Sequence, residues 1–202
     1  MKYQRGIWIP DSESWPRWSA KYEQKCYREL NLTGNVCLDI GAHVGIWSKR
    51  LSKDFSKVIC FEPLSKHIEC HKENCKELNN VFLYEYALSD IETDAIMTTK
   101  DRNSGMSSLE QKKFRNKKEK VVKTKTLDSF KFEKIDFMKI DVEGYEEHAL
   151  MGAKKTILEY SPKIFIEIWG VKFEKVSQLI SSMGYNTMKK VGYDNYFYTK
   201  EL

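Results

Sequence analysis

The sequence predicts a doubly wound α/β domain, a mostly parallel sheet covered by helices on both faces. Three observations predict it. Short apolar runs, such as residues 36–40, 58–61 and 137–140, alternate with segments of helical pattern. A glycine pair, Gly41 and Gly45, follows the first run and opens a helix. Carboxylates stand where the runs end, at Asp39, Glu62, Asp141, Glu143 and Glu167. In open α/β sheets ligands bind beyond the carboxyl ends of the strands, at the switch point. A purely structural sheet has no need of acids there.

The elements follow in order. Residues 1–18 carry Trp8, Trp15 and Trp18 with Pro10 and Pro16, and give neither helical nor strand pattern. They are expected either to pack across the sheet edge or to form a lid over an acceptor site. Residues 19–31 suit a helix, ended by Asn31 and Gly34. Strands are expected at 36–40, 58–61 and 81–86, with helices at 44–54 and 65–78 between them. Residues 92–99 and 120–127 read as two further strands joined by a polar loop. Another buried strand covers 137–140, and a helix at 145–159 stops before Pro162. Then come a strand at 163–168, a helix at 171–183 ending at Gly184, and a closing strand at 193–199.

A chain of 202 residues fits one compact domain, with 1–34 as an N-terminal segment and helix and 35–202 as the main body. It holds no apolar run of about 18 residues, so no membrane span is expected. The first residues lack the apolar stretch of a signal peptide, so a cytoplasmic location is expected. Five cysteines without a CxxC argue against a disulfide framework, and Cys37 and Cys60 read as core. His67, Cys70, His71 and Cys75 crowd one segment. Two histidines four apart share a helix face and would suit a metal, but no known ligand spacing supports it. The segment reads instead as a polar surface helix. Net charge is +5, much of it between Lys112 and Lys125. Such a run reads as a solvated face, with phosphate contact as the alternative.

The loop after the first strand is Asp39-Ile40-Gly41-Ala42-His43-Val44-Gly45. Gly41 suits a tight turn and close backbone approach to a ligand. Glu62 ends the next strand, where an acid accepts the ribose hydroxyls of an adenosine. The loop departs from G-x-G-x-x-G, which disfavours NAD, and lacks the Lys-Ser/Thr of an ATP-binding P-loop.

Taken together, these blocks resemble a known family. Asp39 to Gly45, Phe61-Glu62-Pro63, Ala87-Leu88-Ser89-Asp90, Asn103 to Ser108 and Lys139-Ile140-Asp141-Val142-Glu143-Gly144-Tyr145-Glu146 are similar to the FkbM methyltransferases, in that family's order. The resemblance implies a Rossmann-like fold of the class I methyltransferase type, with S-adenosylmethionine as cofactor. It implies that Asp39, Gly41, Ala42, His43 and Gly45 surround the methionine end, with Asp141 nearby. Glu62 with Pro63 would take the ribose, and Ala87-Leu88 the adenine. It further implies O-methylation of a sugar, glycan or small natural product.

Methyl transfer is an in-line displacement in which the cofactor supplies the leaving group, so the protein mainly aligns the acceptor. A hydroxyl acceptor also needs a base. Asp141 and Glu143 are two apart and would share a face of an extended segment, with Glu167 at the neighbouring strand end and His43 as a second-rank base. The alternatives are that Asp141 caps the following helix and Glu143 binds loop amides. Three such acids would also suit a divalent cation, which is not predicted. Ser104, Ser107 and Ser108 either line the acceptor site or form a turn. Tyr145 and Trp169 are expected to face a sugar ring. Nucleic acid is not the expected partner: the Asn/Asp-Pro-Pro-Tyr/Phe segment of base methylation is missing, and the lysines of an RNA 2′-O-methyltransferase are not identifiable. A catalytically silent binding module is the other rival, and the acids at the strand ends argue against it. The oligomeric state is not legible.

Overall fold

A computed structural model of the chain describes residues 1–13, 17–100, 103–110 and 117–200. Trp15, Lys112 and Lys113 lie outside the described residues, as do the side chains of Trp18 and Ser104.

The chain opens with a hairpin, β1 (Lys2–Gln4) and β2 (Ile7–Ile9), then α1 (Arg17–Leu30). There follow β3 (Gly34–Ile40), α2 (Ile46–Leu51), β4 (Phe55–Phe61), α3 (Ser65–Cys75) and β5 (Val81–Tyr84). An insertion carries β6 (Ala87–Leu88), β7 (Asp94–Lys100), β8 (Asn103–Ser108) and β9 (Lys117–Lys125). The chain then runs through β10 (Phe137–Ile140), α4 (Glu146–Met151), α5 (Lys154–Tyr160), β11 (Lys163–Glu167), α6 (Phe173–Ser182), β12 (Thr187–Lys190) and β13 (Asn195–Thr199).

The main sheet has the order β12-β13-β11-β10-β3-β4-β5. Its strands are parallel from β11 to β5, and β13 runs antiparallel to β11 and β12. The fold is the expected doubly wound, Rossmann-like sheet. Strand order reverses between β3 and β10, which makes their carboxyl ends the switch point. Because side chains alternate across the pleat, Leu38, Ile40, Ile59, Phe61, Met138 and Ile140 build the core on one face. Cys37, Val58, Cys60 and Phe137 build the other, against α1 and α2. Strands buried on both faces read as continuous apolar runs, and for that reason they were visible in the sequence.

Several expectations need correction. Residues 17 and 18 already belong to α1, and 2–9 form the hairpin. The polar loop between β7 and β9 contains β8. The helix expected at 145–159 is interrupted at Gly152 and Ala153, where Ala153 takes φ −111°, and a Cβ on Gly152 would lie 1.9 Å from the Ser89 carbonyl oxygen. Asp128 then accepts hydrogen bonds from the Lys155 and Thr156 amides and restarts the helix as α5. His67, Cys70, His71 and Cys75 are all buried, so α3 turns this face inward instead of to solvent. Lys118, Lys120 and Lys123 are exposed on a strand, β9. Among the described residues no helix is long and apolar enough to cross a membrane.

Candidate active site

The site forms where β3, β4, β10 and β11 end. Gly41 leaves β3 with φ +77°, and a Cβ on it would lie 1.8 Å from the carbonyl oxygen of Asp141. The glycine is therefore required by the approach of the two neighbouring loops to each other, and only glycine fits. The Gly41 and Ala42 amides both donate to the Phe61 carbonyl at 3.0 Å, which pins the first loop to the end of β4. His43 and Gly45 also hold positive φ, so the chain turns through residues 43–45 before α2 begins.

Beneath this loop lies a buried ion pair whose lysine had no role in the sequence reading. Lys139 and Asp39 are register partners on β10 and β3. Lys139 Nζ lies 3.3 Å from Asp39, 3.4 Å from Asp141 and 2.9 Å from the Gly41 carbonyl oxygen. Asp39 is fully buried and also accepts a 2.7 Å hydrogen bond from Ser48, whose oxygen lies 2.9 Å from His71 Nε2. Asp39 thus shapes the loop from behind through Ser48 and Lys139. A lysine in an apolar strand was the available signal, since a buried cation needs an acid opposite it.

Glu62 is buried at the end of β4 and accepts hydrogen bonds from the His43 amide on Oε2 and the Leu64 amide on Oε1, both at 3.0 Å. His67 Nδ1 lies 3.1 Å from Oε1. Burial works against the charge on Glu62, but His67 and His43 outweigh it and hold the carboxyl below its ordinary range. Burial likewise opposes protonation of His67, and Glu62 and Glu13 outweigh it, raising this imidazole above its ordinary value. His43 goes the other way, pushed down by burial and then by the charge on His67. Its Nε2 lies 3.8 Å from Glu13, and its ring packs on His67 with centroids 4.1 Å apart. Glu13, His43 and His67 have the donor set of a metal site. Lys66 Nζ, 3.0 Å from Glu13, already supplies that acid with a cation.

The second cluster is Asp141, Glu143 and Glu167, with one carboxylate oxygen from each lying within 4.8 Å of the others. Glu143 sits at φ +57°, a left-handed conformation that is costly for this residue type. Glu167 is pushed up to about 10, first by burial, then by the charge of Asp141 and a hydrogen bond to it, and by Glu143. It therefore keeps its proton at neutral pH beside an acid paired with Lys139. The structure brings these three expected residues together and places His43 in the other cluster.

Tyr145 stacks on His148, and its hydroxyl lies 3.2 Å from Ser89 Oγ. Ala87 and Leu88 are buried in β6, paired with Thr124 and Lys125. Ser107 and Ser108 belong to β8, where Ser108 is buried. Lys172 contacts both Glu110, just past β8, and the Gly144 carbonyl, which ties that strand to the loop after β10. Pro63 and Trp169 are half-buried at the ends of β4 and β11.

The N-terminal hairpin docks on the same rim. The Trp8 amide donates to Asn74 Oδ1 at 2.7 Å, and Asn74 Nδ2 donates to the carbonyls of Trp8 at 2.9 Å and Val44 at 2.7 Å.

Comparison with known proteins gives this geometry a context. The sequence model of the FkbM methyltransferase domain matches residues 39–187. The FkbM methyltransferase of Methylobacillus flagellatus KT superposes with a TM-score of 0.65 at 17% identity. That match covers 88% of this chain and 47% of the other, so the chain spans about half its length. A ribosomal protein L11 methylase from Lactobacillus delbrueckii subsp. bulgaricus gives 0.54 at 11% identity, over 96% of this chain and 86% of that one. A precorrin-6y C5,15-methyltransferase from Geobacter metallireducens GS-15 gives 0.54 at 13%, over 96% and 94%. At these identities the likenesses speak for the fold. No curated protein matches the chain.

Proposed function

The chain belongs to the FkbM methyltransferase domain family, and from that premise we propose that it moves a methyl group from S-adenosylmethionine to a hydroxyl of a sugar, glycan or small natural product. The observation that carries the hydroxyl reading is the acid cluster of Asp141, Glu143 and Glu167 at the switch point.

The donor set suits the cofactor. An ionised carboxylate accepts at about four lone-pair positions. Glu62 uses three of them on His43, Leu64 and His67, and the position left on Oε2 is assigned to a ribose hydroxyl. Gly41, Ala42, His43 and Gly45 form the loop beside it, with Pro63 at its edge. Ala87 and Leu88 of β6 are assigned to the adenine. Bound there, S-adenosylmethionine supplies an activated methyl group. Asp39 and Lys139 hold the loop from behind and keep Asp141 in place.

The chain's own chemistry is proton management. Asp141, held by Lys139, is the acid assigned to draw the proton from the acceptor hydroxyl. Glu167 keeps its own proton and donates it within the cluster, which leaves one negative charge fewer to repel the other acids. Glu143 lies within reach of both and completes an acceptor surface for a diol. Such a positioned base typically contributes about 10²–10⁴-fold to rate. Ser107, Ser108, Tyr145 and Trp169 are assigned to the acceptor side. The five cysteines are free and buried, which supports the reading of a reducing compartment.

The test is a labelled-methyl transfer screen over glycans, small alcohols and RNA with wild type and Asp141→Asn. The proposal expects a glycan or small-alcohol product whose formation falls about 10²-fold or more in the variant. Product on RNA alone, with a steep loss of activity as salt rises, would replace this reading with a nucleic-acid enzyme.

A further inference from the structure

We propose that residues 7–13 form a strap that positions the nucleoside-binding acid, with Glu13 acting on Glu62 through His67 and His43. The inference rests on the reading of Glu62 as the ribose acceptor. It goes beyond the family match, which begins only at residue 39.

The strap is fixed at two points. At β2, Asn74 of α3 binds both the amide and the carbonyl of Trp8, and with the same amide nitrogen holds the Val44 carbonyl in the loop after β3. Ile9 packs there with Val44 and Cys70. The chain then turns, with the Glu13 amide donating to the Pro10 carbonyl at 3.0 Å, and Glu13 enters the rim with only 8% of its surface exposed. An acid buried at the end of an irregular segment carries a desolvation cost, so its partners explain its place. Those partners are Lys66 at 3.0 Å, His67 Nε2 at 3.5 Å and His43 Nε2 at 3.8 Å.

His67 is the link. Its Nε2 faces Glu13 and its Nδ1 faces Glu62, so the ring is held from both ends and cannot rotate without breaking one contact. A ring held this way braces the Glu62 carboxylate from the side opposite the His43 amide. The backbone of His43 binds the other oxygen of Glu62, and its ring lies between His67 and Glu13. Withdrawal of Glu13 loosens the far end of both rings at once, and Glu62 is then held by the His43 and Leu64 amides and by one end of the His67 ring. Glu13 is a positioning residue: it touches neither the proposed ligand nor the acid cluster, and its effect is confined to the ribose end.

This confinement gives a readout that plain loss of structure would not move. The quantity is the ratio of dissociation constants for S-adenosylhomocysteine and its 2′-deoxy analogue, measured by calorimetry. A charge-assisted hydrogen bond of about 1.5–3 kcal/mol corresponds to a ratio of about 10- to 150-fold in wild type. Glu13→Gln should lower it by about 3-fold or more while the deoxy analogue binds nearly as before. Asp11→Asn, on the exposed side of the same segment, should leave the ratio intact. If Glu13→Gln fails to fold, Glu13→Asp keeps the charge but withdraws it by one methylene, and should lower the ratio to an intermediate value. A wild-type ratio preserved in the Glu13 variants, or an equal loss of both ligands, overturns the strap alone. Failure of wild type to bind either ligand overturns the ribose reading of Glu62 and the strap with it.

Discussion

Replacing Glu167 by Gln should change how stability depends on pH, and the sign follows from the cluster. In the folded chain the Glu167 carboxyl is pushed up to about 10 from an ordinary value of 4.5, by burial first and by Asp141 and Glu143 after it. When the folded value is the higher one, the stabilising contribution is complete below the unfolded value and is lost as pH rises through the folded value. The window therefore runs from about pH 4.5 upward toward pH 10. Within it the unfolded chain has released a proton that the folded chain retains, and one proton corresponds to a slope of about 1.4 kcal/mol per pH unit. Between pH 5 and pH 7 the wild type should lose at most about 3 kcal/mol from this source. Glu167→Gln is a neutral isostere of the protonated acid and has nothing to release. Urea denaturation at pH 5, 6, 7 and 8 measures the difference. The variant should gain on the wild type as pH rises, with an unchanged dependence on denaturant. Parallel curves for the two proteins across this range would refute the claim that the cluster holds a proton.

Two further outcomes follow from the loops. Gly41→Ala combines a left-handed backbone, worth about 1–2 kcal/mol, with overpacking against the Asp141 carbonyl of about 1–3 kcal/mol, so denaturation should show a loss of at least about 2 kcal/mol. A change within about 0.5 kcal/mol would mean that the loops do not meet as described. Lys139→Met strands a fully buried Asp39 and should cost about 3–5 kcal/mol; adding Asp39→Asn should recover part of it, and strictly additive effects would argue against the pair.

The parts of the fold that were legible in the sequence share one property. β3, β4, β10 and β11 are covered on both faces, so their apolar runs are unbroken and end abruptly at acids or glycines. The elements that escaped notice lack that pattern. β12 is Thr-Met-Lys-Lys with every residue exposed, and β8 is a serine-rich strand with one methionine. At the break between α4 and α5, Gly152 is required by the approach of Ser89 from the insertion, which no local pattern encodes.

The site divides the same way. The glycine and the acids could be placed because strand ends have a fixed relation to the switch point. The reason for Gly41 was only half legible: the close approach is real, but its partner is the Asp141 carbonyl. His67 and His71 looked like surface residues because their partners Glu62, Glu13 and Ser48 come from three other segments. Polar residues pass for solvated ones until the fold brings their acceptors to them. Lys139 has no legible role in its motif, since the buried acid beside it, Asp39, lies 100 residues away on the neighbouring strand.

The measurement that bears most directly on the nucleoside site is a calorimetric titration of S-adenosylhomocysteine into wild type and Glu62→Gln. Wild type should show saturable one-to-one binding. The variant should lose about 1.5–3 kcal/mol, because the ribose would face an amide in place of a carboxylate. No saturable binding by the wild type, or equal affinity in the two proteins, would contradict the ribose reading of Glu62.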